Sequence, residues 1–236
     1  MKNLIRRMRQ IARHGFGRDL YIRRDYRPEV EVHGSEYGGW GVLCGSLNAD
    51  STVLSFGIGQ DVSFDLSLIS AFGLTVHGFD PTPASVVWVK REVDDPKFRF
   101  WAYGISNEDG VCEFFLPSND HNVSASMLPH EGSKPLPVEV EMRSLKTICL
   151  DLSLSRIDYM KIDIEGAEYQ VISSLQDIPH ALLPRQLGVE FHHFFSNFNH
   201  RDTLDAIKLL KLLGYKTAWT SATTHEVLFI LQEPEL

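Results

Sequence analysis

The chain has 236 residues, 43% of them hydrophobic and 23% charged, a composition that suits one large globular domain with its own core. Its 17 Gly and 11 Pro are too few and too scattered for a fibrous or disordered class. Three isolated cysteines (Cys44, Cys112, Cys149) form no CxxC pair, which excludes a disulfide framework or zinc site and points to a reducing, cytoplasmic compartment.

The net charge of −8 divides into +7 over residues 1–27 and −15 over the rest. A body so acidic would repel nucleic-acid phosphates, so no nucleic-acid partner is expected. The basic start is amphipathic, with Leu4, Ile5, Met8, Ile11 and Ala12 at helical spacing between arginines. Residues 1–36 are therefore read as a basic N-terminal helical extension, and 37–236 as the main domain. The favoured role for the extension is a cap on that domain. Contact with a membrane surface or partner, or targeting, are the alternatives. No apolar run is long enough for a transmembrane segment.

From residue 51, strand and helix patterns alternate. The expected strands are 52–56, 74–79 and 98–103, separated by helices near 61–72 and 83–92. Thr82 is the expected N-cap and Pro83 the first residue of the second helix. A hairpin-like stretch (111–116) follows the Asp109-Gly110 turn signal, and a polar loop runs over 117–137. A strand at 138–142, a helix near 144–150, a strand at 159–164 and a helix at 167–175 come next. The chain closes with a strand at 186–191, a helix at 203–213 and a terminal hairpin of 215–221 and 226–231. This order predicts an α/β fold: a single Rossmann-like, doubly wound domain with a seven-stranded, mostly parallel sheet and a C-terminal antiparallel hairpin.

Phe56-Gly57-Ile58-Gly59 ends a strand before a helix, where glycines permit a tight turn and close approach of a ligand to backbone amides. Asp80, at the tip of the next strand, is placed to accept hydrogen bonds from ribose hydroxyls or else to cap the turn before Pro81. A dinucleotide fingerprint would carry a third Gly where Val62 stands. Asp61 and Asp65 also suit a cationic sulfonium better than a pyrophosphate, which favours S-adenosylmethionine over NAD.

The segment 161–168 (KIDIEGAE) places Lys161, Asp163 and Glu165 on one face of a strand. The neighbouring strand places Gly188, Glu190 and His192 on its matching face. Such a cluster can deprotonate a hydroxyl or hold a divalent cation. His192 is the first candidate base, then Glu165 and Asp163; His193 is a weaker candidate. Asp163, Glu190 and His192 are the candidate ligands for Mg²⁺ or Mn²⁺. Glu168 reads as a first-turn residue complementing the helix dipole.

These motifs, with 55–65 (SFGIGQDVSFD), 78–83 (GFDPTP) and 103–106 (YGIS), resemble the FkbM family of S-adenosylmethionine-dependent methyltransferases over roughly residues 37–231. The resemblance implies transfer of a methyl group to oxygen, often a hydroxyl of a sugar or polyketide. By position, Phe56, Gly57, Ile58, Gly59, Asp61, Asp80, Pro81, Ile105, Ser106 and Asp163 would line the donor. Glu190 joins His192, Asp163 and Glu165 as a candidate catalytic residue. Gly38-Gly39-Trp40 and residues 118–135, with His121, Asn122 and His130, are candidate acceptor-side elements. A non-catalytic adenosine-ligand module and an NAD-linked oxidoreductase are the competing readings.

Overall fold

The computed structural model describes residues 20–36, 38–114, 137–195 and 197–232. The amphipathic segment over residues 2–13 and the polar loop residues 118–135 lie outside these.

Strands β1 (Val30–His33) and β2 (Trp40–Leu43) pair as an antiparallel ribbon. Then follow β3 (Thr52–Phe56), α1 (Ser63–Phe72), β4 (Thr75–Phe79), α2 (Pro83–Glu92) and β5 (Phe98–Trp101). A side sheet contains β6 (Gly104–Ser106), β7 (Gly110–Phe114) and β8 (Val138–Ser144). The chain continues through α3 (Leu145–Asp151), β9 (Tyr159–Ile162), α4 (Glu168–Ser174), β10 (Gln186–Glu190), α5 (His200–Leu212), β11 (Tyr215–Thr220) and β12 (Glu226–Leu231).

The main sheet has seven strands in the order β11-β12-β10-β9-β3-β4-β5, and β12 alone runs against its neighbours. From β3 the chain winds outward through β4 to β5, then returns to lay β9 on the other side of β3. That reversal opens a crevice at the C-terminal ends of β3 and β9, where such sheets bind ligands. Strand alternation divides the core: Leu54, Phe56, Met160, Ile162, Leu187 and Val189 pack on one face, Val53, Val76, Tyr159 and Leu228 on the other.

Several expectations need correction. The segment after Gly110 does not fold back on β6. Instead β8 lies between them, with Met142 opposite Gly104 in parallel and opposite Gly110 in antiparallel register. The Asp109 carboxylate, rather than closing a tight hairpin, accepts from Ser144 N and Thr147 Oγ1, both at 2.7 Å. Helix α5 starts at His200 because Asn199 and Asp202 form a reciprocal capping box ahead of the apolar run. Residues 20–36 are not helical. Ile22 joins the core, Asp25 N and Tyr26 N donate to Thr217 O, and β1 lies within this stretch.

Candidate active site

Gly57 adopts φ +80°, and a Cβ there would stand 1.6 Å from the carbonyl oxygen of Asp163. This glycine is therefore required by the close approach of the β9 end, where Asp163 N donates to Phe56 O at 3.1 Å. Gly59, at φ +54°, differs: a Cβ there would meet no atom within 4 Å. Between them, Ile58 N and Gly59 N donate to Asp80 Oδ2 at 3.1 and 2.8 Å, while Thr82 N and Oγ1 donate to Oδ1 at 2.9 and 2.7 Å. Four internal bonds fill the acceptor capacity of this buried carboxylate. Asp80 thus braces the turn and holds Thr82, the N-cap of α2, with the Ile58 and Gly59 amides directed at its carboxylate.

A cavity of about 510 Å³ opens over this turn, within the size range of small-molecule sites. Its wall includes the expected Phe56, Gly57, Ile58, Gly59, Asp61, Asp80, Pro81, Ile105 and Asp163. Ser106 is not among the lining residues: it follows Ile105 on β6, points the other way, and bonds Asn107 Oδ1 at 3.1 Å. Gly38, Gly39 and Trp40 also line the cavity. Asp65, behind the turn on α1, is buried, and desolvation lifts its pKa to about 6 against the pull of Lys161 and Ser55.

The far side is built by the loops after β9 and β10. The register pairs Gly188 with Lys161, so the neighbouring strand ends bring Glu190 beside Asp163 and place His192 near the following loop. Lys161 donates to Gly57 O at 2.8 Å, and its ammonium lies 3.4 Å from Asp163 Oδ2. Strand β9 stops at Ile162, two residues earlier than expected, so pleating does not aim Glu165. A left-handed turn does, with Glu165 at φ +54° and Gly166 at φ +103°.

His192 is 3% exposed and is held by its Nδ1, 2.5 Å from Glu168 Oε1. Its Nε2 stands 3.4 Å from Glu165 Oε2 and 4.0 Å from Asp163 Oδ1. Burial disfavours the imidazolium, but Glu168 outweighs it, with help from Glu165 and Glu190, and the pKa rises to about 10. Glu168 thus holds the ring with its Nε2 turned toward the cavity acids. Burial and the neighbouring Asp163 push the Glu190 carboxyl upward. The trio brought within mutual reach is Asp163, Glu165 and His192, so Glu165 replaces Glu190 in the expected ligand set.

Glu168 was missed by sequence reasoning. It does sit in the first turn of α4, but it is fully buried, accepts from Gly166 N at 3.2 Å, and orients His192. The available signal was its place at the end of the charged 161–168 run. His193 turns away, with Nδ1 3.3 Å from Thr203 Oγ1 and its ring packed against His200 and His225. Among the described residues, no helix is long and apolar enough to cross a membrane.

No curated protein matches this chain. Among solved structures it is similar to the Methanococcus jannaschii fibrillarin pre-rRNA processing protein, at 9% identity and TM-score 0.43 over 78% of this chain and 66% of that one. It is also similar to Aeropyrum pernix fibrillarin, a structure with natively bound S-adenosyl-L-methionine (9%, 80% and 68%, TM-score 0.41). A third is precorrin-6y C5,15-methyltransferase from Geobacter metallireducens (12%, 78% and 81%, TM-score 0.40). The family model described as the methyltransferase FkbM domain matches residues 46–217, and the chain belongs to that family of methyltransferases.

Proposed function

We propose that this methyltransferase moves the methyl group of S-adenosylmethionine to a hydroxyl oxygen of a small molecule or glycan, a sugar hydroxyl above all, in a reducing cytoplasmic compartment. One observation carries the reading. The glycine turn and the cluster of Asp163, Glu165 and His192 line a single cavity, so a donor site and a proton-accepting site share one wall.

The residues present fit the donor. Open space beside Gly59 admits a ligand against the turn, and Phe56, Ile58, Pro81 and Ile105 offer apolar surface for its adenosine. Asp61 and Asp163 offer carboxylates to its positive charges. When bound, the donor supplies an electrophilic methyl group for in-line displacement. The protein's own part is to hold the acceptor oxygen in line and take its proton, since a hydroxyl is a poor nucleophile while protonated. Glu165 suits the role of proton acceptor, because it borders the cavity on a loop and is only partly buried. Lys161 keeps positive charge beside the carboxylates, and Glu168 keeps His192 in place.

Calorimetry with S-adenosylmethionine and its demethylated product, followed by methyl transfer to a panel of sugars and glycans, tests the reading. Asp163→Asn and Glu165→Gln are expected to cut turnover by at least about a hundredfold, within the range attributed to a positioned base. Variants of both residues that methylate at the parent rate would overturn the assignment.

A further inference from the structure

We infer that Asp163, Glu165 and His192 form a binding site for one divalent metal ion of the Mn²⁺ or Mg²⁺ class, with Glu168 orienting the imidazole. The purpose of such a site, lowering the pKa of the acceptor hydroxyl, rests on the reading above; the binding itself does not.

The first support is donor geometry. One carboxylate oxygen from each acid and one imidazole nitrogen lie within 4.8 Å of one another. Bonds of about 2.0–2.2 Å to a shared ion would set neighbouring donors about 3 Å apart and opposite ones about 4.2 Å apart. The separations from His192 Nε2, 3.4 Å to Glu165 and 4.0 Å to Asp163, already fall in that window. They exceed the roughly 2.7–2.9 Å of a relaxed charge-assisted hydrogen bond. The spacing therefore suits a shared central ion better than direct pairing.

The second support is the far side of the imidazole. Metal-bound histidines commonly donate their other ring N–H to a carboxylate, which fixes the tautomer and the ring direction. Glu168 accepts that bond from a fully buried position, where Ile164 N and Gly166 N also donate to it at 3.4 and 3.2 Å. His192 is nearly as buried, yet its Nε2 is directed at the cavity acids. Asp163 is divided in the same sense, with Oδ2 toward Lys161 and Oδ1 toward His192.

Charge and backbone add to this. Asp163, Glu165, Glu190 and Glu226 line this end of the cavity, where Lys161 is their neighbouring lysine. A divalent ion would balance that excess. Glu165 also occupies a left-handed conformation, at φ +54°, that is unfavourable for a non-glycine residue. Residues in this conformation cluster at ligand sites, where the surrounding structure holds them in place.

The test uses the full chain, stripped with chelator and titrated with Mn²⁺ alone, with the free ion followed by electron paramagnetic resonance. One Mn²⁺ per chain is expected. Binding should weaken at least tenfold in Glu165→Gln and about 10–100-fold in Glu168→Gln, the range for loss of an orienting partner. The exposed Glu113→Gln should leave it unchanged. Glu165 is partly exposed on a loop, so its variant removes a ligand without opening the core, and circular dichroism verifies the fold. Absence of stoichiometric binding, or binding that Glu165→Gln and Glu168→Gln both leave intact, overturns the site. If stripped protein in chelator still binds S-adenosylmethionine and methylates, the ion's part in lowering the hydroxyl pKa falls and the methyltransferase reading stands. If Mn²⁺ binds and the donor does not, the site stands and the donor assignment fails.

Discussion

Asp65 shows how far one residue's chemistry depends on its surroundings. Its carboxyl is buried between α1 and the sheet, and burial raises its pKa from 3.8 to about 6. A carboxyl whose folded pKa is raised binds protons more tightly in the native state. Its contribution is therefore most favourable below pH 4 and is lost as pH climbs through 6. Asp65→Asn should stabilise the protein by about 2–3 kcal/mol at pH 7.5, from roughly two pKa units, and by almost nothing near pH 4. Urea unfolding at the two pH values measures the difference, and equal gains at both would refute this account. Asp80 makes the complementary point: four internal hydrogen bonds make it a brace of the turn, on the wall of the cavity.

At the scale of elements, the turn between β3 and α1 separates two reasons for a glycine. Gly57→Ala would drive a Cβ into the Asp163 carbonyl, forcing β3 and β9 apart at the site. A loss of about 3 kcal/mol or more is expected, together with loss of donor binding. Gly59→Ala meets open space, so only the left-handed conformation is penalised, by about 1 kcal/mol. Its methyl group would occupy cavity volume, and donor affinity should fall while the melting temperature moves by a few degrees. Thermal unfolding and calorimetry on the pair read both effects; equal stability losses would remove the distinction.

Across the whole molecule, residues 20–26 strap the domain at a distance from the cavity. Thr217 N donates to Asp25 Oδ1 at 2.7 Å, and Lys211 Nζ lies 2.7 Å from Asp25 Oδ2. Asp25→Ala should cost about 1–2 kcal/mol, for one charge-assisted bond to a half-buried backbone donor. Donor affinity should stay within twofold, measured by denaturant unfolding and calorimetry. A collapse of binding would mean that the strap also shapes the site.

Strand positions and the sheet's two faces were legible in the chain because local patterning carries them. Apolar alternation marks each strand, and alternation with helices dictates parallel neighbours. The same logic placed Lys161, Asp163, Glu190 and His192 at one crevice from the chain alone. Pairings between distant segments were hidden, since nothing local in Gly110–Phe114 states that β8 rather than β6 lies beside it. Glu165 was named from the chain, but the left-handed turn that aims it was hidden, and so was Glu168, whose side chain a buried helix start redirects in a way that spacing does not encode. The sequence by itself determined the fold class and which charged residues meet, because both follow from periodicity along the chain. Only the tertiary structure decided which carboxylates pair with His192, which glycine faces a ligand and what Asp80 holds, because each depends on distances between segments that are remote in sequence.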